Sequence, residues 1–339
     1  MRLRLALCSA LAAASLVCAS APHVTATPII STAIPSITEE SPQWRKDVDK
    51  HATAYELTTY SPAMDREVPV AVIPGPPGAP TLYLLNGADG GENRAHWIEN
   101  TDVLDFYADK GVNVVIPMAG AFSYYTDWAD GSQAWETFLT KELPGPLEAH
   151  LGAGDRRAIM GVSMSATSAL TLAQHNPGFY QAAASLSGCA QTSSPLGMAA
   201  IATTLRNGAK DPVAMWGPYG SAAWRYNDAH LGAPALRGTA LYISNGSGLQ
   251  GAIDQVGGPY LRGKTHAQAS ASHINTSVVG GPIEMVTNRC THDLKARLDA
   301  EGIPATYVFR NTGTHSWGYW QEDLRGSWPV LSHALGVKT

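Results

Sequence analysis

The chain has 339 residues, 23 Lys and Arg against 28 Asp and Glu, a formal net charge of −5 and only 15% charged residues beside 33 Gly, 22 Pro and 9 Trp. With no Lys/Arg cluster there is no electrostatic footprint for nucleic acid or an anionic membrane surface, and both are excluded as partners. Ordinary soluble chains carry roughly 25% charged residues, so this composition describes a chain that buries much apolar surface under aromatic-rich loops.

The N-terminus has Arg2 and Arg4, an apolar run from Leu5 to Val17 and then small residues up to Ala26. A membrane-spanning helix needs about 20 apolar residues. The shorter run predicts a secretory signal peptide over residues 1–26. Cleavage removes Cys8 and Cys18 and leaves Cys189 and Cys290, an even pair in an oxidising compartment, for which a disulfide is expected. Residues 27–50 are irregular and rich in Pro, Ser and Thr, and read as a leader. Residues 51–339 read as one catalytic domain with no internal repeat or linker.

Short β-rich runs follow at residues 55–60, 68–73, 81–85, 112–117, 157–160, 182–186, 240–244 and 305–309, most of them ended by Gly, Pro or Asn. Helical patterns at 134–143, 166–175, 282–300 and 317–335 lie between the later runs. This alternation predicts an α/β fold with a mostly parallel eight-stranded sheet flanked by helices, the first two strands forming an antiparallel edge. Residues 190–236 and 247–281 interrupt the alternation after strand ends, where substrate loops belong.

Gly161-Val162-Ser163-Met164-Ser165 sits between a predicted strand and a predicted helix. That is the setting of a nucleophile elbow, in which a strained turn lifts the serine hydroxyl off the sheet and aims a helix N-terminus at charge developing beside it. The fifth position is Ser165 where glycine is usual. A base is expected on the loop after the last strand, and His315 in Gly313-Thr314-His315-Ser316-Trp317 occupies that place. The acid is open on pattern alone: Asp211, Asp228, Asp254, Glu284, Asp293, Asp299 and Glu301 all lie between the two. Glu284 falls in the first turn of a predicted helix, where any carboxylate is favoured by the helix dipole.

Longer motifs narrow the choice: LLNG at 84–87, DW at 127–128, WETFLTKELPG at 135–145, GVSMSATSALTLA at 161–173, MWGP at 215–218 and GTHSWGYW at 313–320. In these motifs and their order the sequence resembles the mycolyltransferases of mycolic-acid bacteria, the antigen 85 family, and is most similar to the corynebacterial branch. The resemblance implies an α/β-hydrolase fold with Ser163 as nucleophile, Glu284 as acid and His315 as base, and an oxyanion hole made by the backbone N–H groups of Ala88 and Met164. It also implies that the loop 86–94, with Asn86 and Arg94, and Trp317 contact a sugar, and that the apolar segment 196–216, ending at Trp216, covers an acyl chain. The loop departs from the mycobacterial pattern, which carries an aspartate where Asn86 stands.

The expected function is therefore a secreted, cell-envelope serine acyltransferase. It would take a mycolyl group from trehalose monomycolate and pass it, through an ester on Ser163, to a hydroxyl of trehalose monomycolate, wall arabinan or a protein. That chemistry needs neither cofactor nor metal, and none is expected. The rivals are a secreted carboxylesterase or thioesterase with the same three residues, and a non-catalytic wall or adhesion protein.

Overall fold

The computed structural model describes residues 30–338, so the expected signal peptide lies outside the described residues. Among the described residues nine strands form a single sheet: β1 (Ile30–Ser31), β2 (Tyr55–Ser61), β3 (Arg66–Ile73), β4 (Thr81–Leu85), β5 (Asn113–Pro117), β6 (Arg157–Val162), β7 (Ala182–Leu186), β8 (Ala240–Asn245) and β9 (Thr306–Phe309). Their spatial order is β1-β2-β3-β5-β4-β6-β7-β8-β9. The pairings from β1 to β5 along that order are antiparallel, and all those from β5 to β9 are parallel.

Every residue of β4, β5 and β7 is buried, as parallel strands covered on both faces must be. One face packs on a core that includes Trp135, Phe138, Leu170, Trp224 and Leu298, the other on one that includes Trp97, Ile116, Trp320, Trp328 and Leu331. All eight expected strands form, within two residues of the expected limits.

The leader is where the expectation needs correction. Ile30 and Ser31 add a ninth strand by pairing with Thr59 and Thr58, and Gln43–Lys50 forms a helix, α1, that buries Trp44 and Val48. Those two are a single i, i+4 apolar pair among charged residues. One such pair is too short a signal to stand out from a polar leader. Nor are the two interruptions irregular throughout. The first holds helix α2 (Pro195–Asn207). In the second, α3 (His266–Asn275) runs through a wide π-type turn (Thr276–Gly280) into α4 (Gly281–Ala300). The C-terminal helix α5 (Trp317–Leu335) closes the second face. No helix of the described residues is long and apolar enough to cross a membrane.

Candidate functional site

β6 ends at Val162, and Ser163 takes φ 56° and ψ −119° before the helix Met164–His175 begins. A non-glycine residue in that region of backbone space is strained, and it persists only where the surroundings over-determine it. Here Ser163 N donates to Leu186 O of β7 at 2.9 Å. A Cβ at Gly161 would stand 2.0 Å from Ser165 O, so the turn requires glycine there. Ser165, in place of the usual second glycine, braces the elbow: its buried Oγ accepts from Val162 N at 2.9 Å and donates to Leu85 O at 3.1 Å.

The loop after β9 brings His315 Nε2 to 2.7 Å from Ser163 Oγ, and α4 brings Glu284 Oε2 to 2.8 Å from His315 Nδ1. A carboxylate can only accept, so Nδ1 carries the proton and Nε2 is left to accept from the serine hydroxyl. Glu284 is 1% exposed. Its other oxygen accepts from Ser187 Oγ at 2.8 Å, Asn245 Nδ2 at 2.7 Å and Gly246 N at 2.6 Å. Three donors on one oxygen hold the carboxylate in a single orientation. Ser187 has φ 57° and accepts from Trp320 Nε1 at 2.9 Å, while the Trp320 ring meets the His315 ring edge-on at 4.8 Å. Sequence reasoning missed Ser187, Asn245 and Gly246. Their signal was position alone, at or just past the C-terminal ends of β7 and β8, the edge where sites form in parallel sheets.

The pocket beside Ser163 has a volume of about 480 Å³. Ala88 and Met164 line it next to Ser163, and neither of their amides takes part in the described turn and loop hydrogen bonds. The loop carrying Ala88 is tied down by its own side chains. Asp89 accepts from the amides of Gly91 and Ala95, and Glu92 from those of Gly120 and Ala121. The pocket wall is mostly apolar, made by Phe122 and Tyr124 on one side, Leu196, Ala200 and Ile201 of α2 on another, and Ile283 and Val286 of α4. Such an arrangement can activate a serine, accept a long acyl chain and stabilise an oxyanion, the requirements of acyl transfer through a serine ester.

Other expected substrate residues lie elsewhere. Asn86 is fully buried and both ends of its amide are used, Nδ2 donating to Pro117 O and Oδ1 accepting from Trp97 N. It braces the loop and has no surface left for a sugar. Trp216, 2% exposed, packs on Trp224 and on the far side of Tyr124. It backs the pocket wall without lining the pocket, so only the α2 part of the segment 196–216 faces the acyl space. Arg94 is exposed and ion-paired with Glu99 on a separate surface cleft with Asn100, Lys264 and Gln268. Trp317 is half-buried between Trp97 and Trp320, edge-to-face with each. Cys189 and Cys290 form a disulfide, with Cα atoms 4.9 Å apart, that ties the exit of β7 to α4.

The fold is that of an esterase-type α/β-hydrolase, and residues 61–330 match the model of the family described as "Putative esterase". Within it, the chain belongs to the family of the antigen 85 mycolyltransferases. It is 32% identical over 295 residues to the diacylglycerol acyltransferase/mycolyltransferase Ag85B of Mycobacterium intracellulare, covering 84% of both chains. It is likewise 32% identical to Ag85A of Mycobacterium tuberculosis over 293 residues, 83% of this chain and 81% of that one. Among solved structures, Mycobacterium tuberculosis MPT51 superposes with a TM-score of 0.70 at 26% identity, over 84% of this chain and 99% of that one. A ferulic acid esterase at 17% identity and TM-score 0.59, over 84% of this chain and 99% of that one, shares the fold.

Proposed function

We propose that the protein is a secreted acyltransferase of the cell envelope that moves a mycolyl group from trehalose monomycolate to an acceptor hydroxyl through an ester on Ser163. The observation that carries this reading is the unbroken line Glu284–His315–Ser163, whose Ser163 and His315 line a mostly apolar pocket of about 480 Å³. His315 takes the Ser163 proton as the hydroxyl attacks the donor carbonyl, and Glu284 stabilises the imidazolium. The Ala88 and Met164 amides receive the oxyanion, and trehalose leaves with the proton from His315. An acceptor hydroxyl then repeats the steps in reverse.

The pocket supports transfer over hydrolysis because an acyl chain held along α2 and α4 keeps water from the ester while an oriented sugar attacks it. The test is product partition with trehalose monomycolate as donor and excess sugar or protein acceptor. Trehalose dimycolate or acylated protein, with free acid minor, is the expected result. Predominant free acid overturns transfer and leaves the esterase. Failure of a fluorophosphonate to label Ser163 overturns the serine mechanism itself.

A further inference from the structure

One buried carboxylate close to the site has no part in the steps above. Asp254 closes a short turn (Ala252–Asp254) and is 3% exposed. Its Oδ1 accepts from the hydroxyls of Thr314 at 2.7 Å and Ser316 at 3.3 Å, the residues on either side of His315. Its Oδ2 accepts from Tyr319 Oη at 2.6 Å and Gly251 N at 3.0 Å. The fit is close: a Cβ on Gly251 would come within 2.6 Å of Tyr319 Oη. On the opposite side the loop is held by His315 N donating to Gly280 O at 3.2 Å.

All four donors to Asp254 are neutral hydroxyl or amide groups, so its partners cancel none of its charge. The charged and titratable groups around the loop are few. Glu284 faces His315 from α4. His273 of α3 reaches the Asp254 carbonyl through Nδ1 at 3.0 Å. Arg310 lies over the Tyr319 ring, 5.9 Å from its centroid, and is engaged by Asp323. Glu322 also sits against Arg310. A buried negative charge linked through one hydroxyl to each neighbour of the base does two things. It fixes the loop on both sides of His315, and it adds negative charge beside the base loop, which favours positive charge on the imidazole.

We propose that Asp254 is a positioning residue for the His315 loop and a second electrostatic support for the imidazolium, a role that rests on His315 acting as the base. It exchanges no proton with substrate; it keeps Nε2 aimed at Ser163 and eases protonation of the ring as the serine attacks. A single buried acid thereby couples the 251–254 turn, the base loop and the start of α5.

The test is the rate of Ser163 labelling by a fluorophosphonate across pH, in the whole chain, with thermal unfolding measured on the same samples. Asp254→Asn keeps size but loses the charge and turns a donor toward either the Thr314 and Ser316 hydroxyls or the Tyr319 and Gly251 pair. Labelling should slow on the order of 10-fold, and the acid limb of the pH–rate profile should move down by about 0.5 to 1 pH unit, the Coulomb effect of one charge in a partly solvated site. Tyr319→Phe removes a donor and keeps the charge, so labelling should slow with the acid limb unmoved. An Asp254→Asn protein that labels at the wild-type rate with an unmoved acid limb overturns the proposal, whatever its melting temperature. If Asp254→Asn does not fold, Thr314→Val decides: slower labelling supports the role, and the wild-type rate refutes it. A wild-type protein that does not label overturns the base reading instead.

Discussion

Replacing Glu284 by glutamine tests the site in its most demanding feature, because the two carboxylate oxygens have different partners and an amide has only one oxygen. If the amide oxygen faces Ser187, Asn245 and Gly246, the NH2 group points at the N–H of His315. The ring must then adopt its other tautomer, with Nε2–H turned toward Ser163 and unable to take its proton. If the NH2 group faces the cradle instead, three donors meet a donor at distances of 2.6 to 2.8 Å. The first arrangement keeps every buried group paired and disables the base; the second leaves buried donors unpaired, at a cost of about 1–3 kcal/mol in stability. Loss of the imidazolium's partner should slow acylation on the order of 1,000- to 10,000-fold, as triads elsewhere do when their acid becomes an amide. Fluorophosphonate labelling kinetics followed by intact mass, with urea unfolding alongside, measure both effects. A Glu284→Gln protein labelling within about 10-fold of wild type, while Ser163→Ala stays silent, would refute this account of the acid.

Two further expectations concern stability. Cys189 and Cys290 are 101 residues apart in sequence, and a loop of that size should contribute roughly 4 to 5 kcal/mol in the chain-entropy model; a Cys189→Ser/Cys290→Ser double variant with an unchanged urea midpoint would contradict this. Burial pushes the His96 imidazole from 6.5 down to about 4. Between those values the unfolded chain binds a proton that the native state refuses, so the stability is full above about pH 6.5 and falls as pH drops toward 4, by about 3 kcal/mol in all. His96 Nδ1 accepts from Glu99 N at 3.3 Å, a cap that His96→Asn can retain without titrating. That variant should show a shallower loss of stability between pH 7 and 4.5 by urea unfolding, and an unaltered slope would rule the effect out.

The sequence by itself determined the succession of eight strands and of the helical stretches between the later ones, the elbow at Ser163 and the loop placing His315, because hydrophobic period, turn residues and chain order are local or sequential properties. It also put Cys189 and Cys290 forward as partners, from their even number and the expected compartment. Among seven acidic candidates it could not choose Glu284 by pattern. Only the tertiary structure set that helix turn against the ends of β7 and β8, where Ser187, Asn245 and Gly246 converge on one oxygen. Asn86 and Trp216, expected at the substrate, went instead to the loop brace and the pocket backing. A polar or aromatic side chain looks the same in sequence whether its partners are protein or ligand. What separates them is whether folding satisfies every polar atom and buries the ring, and that is decided by residues far away along the chain. The same holds for the short apolar pair Trp44 and Val48, whose leader became part of the domain only because a sheet edge and a core face were there to receive it.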